Sequence, residues 1–115
     1  MRGPRLGSDM RVSVIGGGDA PPGVAADAER VGELLAERGH TVVCGGYGGV
    51  MAAACRGARR AGGETIGILK GEERAAANEH VTTAIATGIG NARNVLVVLN
   101  GDAVVALAGG PGTLS

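Results

Sequence analysis

The sequence predicts an α/β fold built on a mostly parallel sheet with helices on its faces. Three observations carry that prediction. Short apolar runs rich in Val and Ile alternate with segments of helical period. Glycines cluster directly after those runs, where strands end. The order strand, helix, strand, helix, strand requires crossovers between parallel neighbours.

Residues 1–9 carry Arg2 and Arg5 with no hydrophobic stretch behind them. They read as a flexible lead and not as a signal peptide. Residues 10–115 then read as one domain. Residues 10–15 alternate and are β-branched, which predicts a first strand. Gly16-Gly17-Gly18-Asp19 ends it, and Pro21-Pro22-Gly23 reads as a turn. From Val24 the period is helical: Val24, Ala28, Val31 and Leu35 share a stripe, and Gly39 is a plausible stop.

Residues 41–44 form a short apolar strand, followed at once by Gly45-Gly46-Tyr47-Gly48-Gly49. Residues 50–61 predict a helix with Met51, Ala54, Cys55 and Ala58 inward and Arg56, Arg59 and Arg60 outward. Residues 64–69 predict a third strand, 70–79 a polar loop, and 81–86 a fourth strand ended by Gly88-Ile89-Gly90. The next segment is ambiguous. Asn100-Gly101 is a hairpin signal between residues 95–99 and 103–108. The helical alternative starts near Asn91 and buries Ala92, Val95, Leu96 and Leu99.

Composition narrows the function. Eleven basic residues balance eleven acidic ones, so no whole-chain field draws nucleic acid or an anionic membrane. No apolar run reaches membrane-spanning length. Cys44 and Cys55 lie in no Cys-x-x-Cys pair and read as two small buried thiols, which points to a reducing, cytoplasmic compartment. His40 and His80 have no metal-ligand spacing and read as surface residues, and no metal site is expected. Lys70, Glu72, Glu73 and Arg74 read as a solvated loop, and Ser115 stands in no nucleophile-elbow pattern.

Two glycine-rich loops are the candidate binding elements. In the first, Gly45, Gly46, Gly48 and Gly49 join a strand to a helix whose amides and dipole suit phosphate. It lacks the Gly-Lys-Ser/Thr of a Walker loop. The second, Gly109, Gly110, Gly112 and Thr113, follows the last strand. Two such loops at the carboxyl ends of parallel strands converge on one crevice, with Gly16 and Gly17 as a third wall. Arg93 opens the disputed segment. At a helix start an arginine opposes the dipole, which suits an anion clamp, although sequence alone favours a solvated surface residue.

These motifs resemble a known family. Gly45-Gly46-Tyr47-Gly48-Gly49-Val50-Met51 is similar to the first signature of the LOG-like proteins, long mislabelled lysine decarboxylases. Residues 108–115 match most of the second, Pro-Gly-Gly-x-Gly-Thr-x-x-Glu. Gly62-Gly63-Glu64-Thr65-Ile66-Gly67-Ile68-Leu69, Thr87-Gly88-Ile89-Gly90 and Ala92-Arg93-Asn94 resemble the branch that looks like molybdenum-cofactor carriers. The resemblance implies a Rossmann-like three-layer sandwich. It implies an arginine-led helix over about residues 91–100, against the hairpin signal. It adds Met51 to the binding set and implies a homodimer or larger homo-oligomer.

The chain stops at Ser115, one residue before the glutamate that closes the second signature, and residue 108 is Ala where many relatives have Pro or Gly. Relatives continue for a helix, a strand and a helix, so the C-terminal part of the fold is expected to be missing. One sheet face near Val104 should then be poorly covered. Three functions compete. The first is a binder of a nucleotide or molybdopterin-type cofactor, with no further cofactor required. The second is a LOG-type nucleoside 5′-monophosphate phosphoribohydrolase with Arg93 catalytic. The third is a chain whose glycines serve turns only. The missing carboxylate favours the first.

Overall fold

The structure, a computed structural model, describes residues 10–107. Five strands form one sheet in the order β4-β3-β2-β1-β5. They are β1 (Arg11–Gly16), β2 (Thr41–Cys44), β3 (Thr65–Leu69), β4 (Thr83–Ala86) and β5 (Ala103–Leu107). Every pairing is parallel, so the sheet is wholly and not merely mostly so. Parallel neighbours need crossovers, and the glycine-rich loops and helices supply them.

Helices α1 (Pro22–Glu37) and α2 (Val50–Arg60) cover one face. Val14 and Val42 of the sheet meet Ala28, Val50, Ala53, Ala54 and Ala58 there. The two helices touch backbone to backbone. A Cβ at Gly32 would fall on the Ala54 carbonyl, and one at Gly57 on the Glu29 carbonyl. With no Phe or Trp in the chain, close approach replaces bulk in filling this layer.

Pro22 begins α1, two residues before the start expected from the apolar stripe. Proline suits the first helical position because its absent N–H has no intrahelical partner to lose there. Both helices end in a 6→1 and a 5→2 hydrogen bond closed on a left-handed glycine. Gly39 has φ 82° and Gly62 φ 80°. His40 N–H donates to Leu35 O at 2.9 Å, and Gly63 N–H to Ala58 O at 2.8 Å.

Among the described residues the opposite face carries one short helix. A 3₁₀ turn, Gly90–Ala92, leads into α3 (Arg93–Leu99), so the disputed segment is helical. Its inward face differs from the expected one. Arg93 and Val97 are buried with Leu96 beside them, while Val95 and Leu99 are exposed and Ala92 faces solvent. The cause is the arginine. Turning Arg93 toward the sheet brings Val97, one turn on, with it and turns Val95 and Leu99 away. Ser13 Oγ donates to Val97 O at 2.6 Å and pins the helix over β1.

The Asn100-Gly101 turn passes into β5, which pairs in parallel with β1 and not with the preceding segment. Val104 of β5 is 44% exposed, and that part of the sheet is poorly covered as expected. His40 is buried rather than at the surface, because its Nδ1 accepts the Met10 N–H at 3.2 Å between α1 and β2.

Candidate functional site

The carboxyl ends of β1, β2 and β3 open onto a cavity of about 550 Å³. Its floor and walls include Gly16, Gly45, Gly48, Met51, Tyr47, Lys70 and Arg93. A crevice at this end of an open parallel sheet is where α/β folds hold ligands. Gly17, Gly46 and Gly49 do not line it; they shape the backbone behind it. Gly46 has φ 82° and Gly49 φ 65°, conformations that side chains with a Cβ resist. Gly17 O accepts the Val50 N–H at 3.0 Å, so the first amide of α2 is already spoken for. The two loops therefore interlock, and a Cβ at Gly49 would strike the Gly17 carbonyl.

Arg93 enters from the far layer. Thr87, Gly88 and Gly90 bring it there. Gly88 N–H donates to Gly71 O and Gly90 N–H to Lys70 O, both at 2.9 Å, with φ of 68° and 66° at the two glycines. The chain thereby turns back over β3, and Arg93 reaches in under the Gly45 loop. Its Nη1 donates to Ile68 O at 3.0 Å. Only 7% of the residue is exposed, and Nε has no partner among the described residues. No carboxylate pairs with it among those residues. A buried guanidinium with an unused donor is costly unless an acceptor arrives. Arg93 is thus not the solvated surface residue that sequence alone favoured.

Two cations approach the Tyr47 ring. Arg93 Cζ lies 5.4 Å and Lys70 Nζ 5.6 Å from its ring centroid. Its hydroxyl accepts the Lys70 N–H at 3.0 Å, tying the Gly45–Gly49 segment to the end of β3. Asn78 holds the other side, donating from Nδ2 to Tyr47 O at 2.8 Å and from its backbone to Gly46 O at 2.9 Å. Lys70 and Tyr47 were not expected at the site. Lys70 is the sole lysine and directly follows an apolar strand, a position that marks a carboxyl-end loop. That signal was legible but was masked by the acidic residues after it.

Cys44 ends β2 and Cys55 lies on α2, with sulfurs 3.4 Å apart and both side chains buried. The hydrogen bond from Cys55, the Gly46 N–H and nearby Arg93 hold the Cys44 thiol below its ordinary range, against burial. The same pairing and burial push Cys55 up. Gly109, Gly110, Gly112 and Thr113 lie outside the described residues. Strand β5 runs in register with β1 as far as the pair Gly16 and Leu107. Among the described residues no cluster of three or more His, Cys, Asp or Glu side chains could hold a metal. No helix there is long and apolar enough to cross a membrane.

Several proteins are similar to this chain. A molybdenum cofactor binding protein from Rippkaea orientalis superposes with a TM-score of 0.85 at 42% identity, over 90% of this chain and 65% of its own. The molybdenum cofactor carrier protein of Chlamydomonas reinhardtii gives a TM-score of 0.79 at 34% identity, over 89% of this chain and 64% of its own. An uncharacterised protein of Archaeoglobus fulgidus is 42% identical over 106 residues, 92% of this chain and 70% of that protein. The chain thus spans about two thirds of the length of the solved relatives, 65% of the first. The model of the SLOG cluster4 family, a LOG-related group, matches residues 9–115. The chain belongs to the SLOG cluster4 family.

Proposed function

We propose that this chain binds a phosphate-bearing ligand of the molybdopterin or nucleotide type in the cavity at the carboxyl ends of β1, β2 and β3. The observation that carries the reading is Arg93: a buried guanidinium beside the cavity, with Nε unpaired and no carboxylate opposite it among the described residues. The solved relatives named above as binders and carriers of molybdenum cofactor favour the pterin-type ligand.

Each group has a physical task. Arg93 supplies a fixed charge, desolvated before the ligand arrives, so no reorganisation is needed on binding. Lys70 supplies a second, mobile charge at the rim. Gly16, Gly45 and Gly48 let an anion approach the backbone closely. Met51 offers a polarisable apolar surface that adapts to a ring system. Gly109, Gly110, Gly112 and Thr113, which follow β5 in the sequence, complete the binding set of this reading. The cofactor, as cargo, carries its own redox chemistry, and the protein's work is to hold and shield it. The setting is cytoplasmic, and the exposed apolar side of α3 with Val104 suits a homo-oligomer.

Thermal melting in the presence of molybdopterin, purine monophosphates and inorganic phosphate tests the reading. Ligand at a hundred times its Kd should stabilise the fold by about 2.7 kcal/mol. A melting temperature unmoved by all three would end it. Release of free base from the monophosphates would instead establish the phosphoribohydrolase.

A further inference from the structure

We propose that Cys44 and Cys55 are an oxidisable dithiol that closes to a disulfide with hydrogen peroxide and thereby weakens anion binding in the cavity. Three observations carry it. The sulfurs are 3.4 Å apart, in contact and hydrogen-bonded. They come from two elements, the end of β2 and the second turn of α2. Those elements flank the Gly45–Gly49 segment, so the pair brackets the site loop in sequence and in space.

Closure needs a movement of a little over 1 Å, since a disulfide spans about 2.05 Å. The short loop between the cysteines leaves them one dominant partner, each other. Cys44 is the attacking sulfur: it directly precedes Gly45, which lines the cavity, and its Sγ accepts the Gly46 N–H at 3.3 Å, a bond that with Cys55 and Arg93 favours the thiolate. The Cys44 thiolate attacks one peroxide oxygen, the O–O bond breaks, and the protonated product is water and a Cys44 sulfenic acid. The Cys55 sulfur then attacks the Cys44 sulfur and displaces hydroxide, which takes the Cys55 proton and leaves as water. Two thiols and one hydrogen peroxide molecule give one disulfide and two waters, and two electrons pass to the peroxide.

The consequence for the site follows from one hydrogen bond. The Gly46 N–H donates to Cys44 Sγ at 3.3 Å. Drawing Cys44 Sγ toward α2 removes the acceptor that fixes that amide. Gly45, next along, packs directly on Arg93 Nη1. A shift of this segment therefore disturbs the seat of the buried cation. The disulfide itself does not depend on what the cavity holds; its effect on binding rests on the reading given above.

The test uses the full chain treated with hydrogen peroxide, then unfolded, alkylated and digested with trypsin. No Lys or Arg lies between Arg38 and Arg56, so one tryptic peptide, residues 39–56, carries both cysteines. The expected product is that peptide unalkylated and lighter by two hydrogens, restored by dithiothreitol. In Cys55→Ser, Cys44 should instead advance to the irreversible sulfinic acid. A wild-type peptide that stays doubly alkylated, or that gains oxygen on sulfur without the link, overturns the proposal. So does a disulfide joining two chains. The binding arm compares the melting shift produced by inorganic phosphate before and after oxidation. A reduced shift supports the coupling. An equal shift in the disulfide form overturns the coupling alone, and no phosphate shift in the reduced form indicts the binding reading instead.

Discussion

Arg93 Nη1 occupies the space that a side chain at Gly45 would need. The two residues belong to different layers of the fold, one following β2 of the sheet and the other at the start of α3. The glycine of the first signature is thus required by the arginine of another motif. That relationship gives the sharpest prediction. Gly45→Ala should displace the guanidinium, since Met51 Sδ, 2.7 Å from the new Cβ, blocks the other way out. Overpacking of this kind costs about 1–3 kcal/mol. Phosphate-ligand affinity should fall about tenfold or more, the equivalent of about 1.4 kcal/mol. Calorimetric titration checks it, and wild-type affinity in a folded variant would contradict the account.

Arg93→Met separates a functional cation from a structural one. Replacing an uncompensated buried charge by an apolar chain of similar length is often neutral, or stabilising by about 1–4 kcal/mol. Stability without ligand should therefore hold or rise, while ligand-induced stabilisation disappears. Urea unfolding with and without ligand reads both. A variant that loses several kcal/mol without ligand would show that Arg93 serves the fold.

Gly57→Ala should destabilise even though Ala is the better helix former. The propensity gain is about 1 kcal/mol. Against it, the new methyl meets backbone, with the Glu29 carbonyl and the Glu33 N at 3.0 Å leaving no flexible group to yield. A net loss of about 1–3 kcal/mol is expected from overpacking. The midpoint of urea unfolding gives the sign, and a stabilised variant would mean that α1 and α2 are farther apart.

Acid should weaken the link between the same two helices. Glu29 accepts Arg56 Nε at 2.9 Å and also pairs with Arg60. The Arg56 hydrogen bond, then that of Arg60, hold its carboxyl below the ordinary range, against burial. A carboxyl lowered in the folded state contributes stability above its unfolded pKa of about 4.3 and loses it as pH falls through the folded value. Glu29→Gln should thus be less stable than wild type at neutral pH, with the gap closing in acid. Urea midpoints over a pH series measure it; a gap that stays constant would remove Glu29 from the account.

The sequence by itself determined the alternation of strands and helices and the glycine turns of the described residues. These follow from local periodicity and from backbone conformations that only glycine adopts readily, as at Gly39, Gly46 and Gly62. Of the residues named from the glycine loops, Gly16, Gly45 and Gly48 line one cavity, as does Met51, which family resemblance added, while Gly17, Gly46 and Gly49 stand behind it. The helix over α3 was legible through family resemblance only, because Asn100-Gly101 imitates a hairpin and strand pairing is a non-local choice. Tertiary structure alone decided which way α3 faces, that Arg93 is buried against Gly45, that Tyr47 lines the cavity, and that Cys44 meets Cys55. Each of those is a contact between segments distant in the chain, or a rotation of a helix about its own axis. Composition and spacing do not encode such facts; packing against a particular neighbour does.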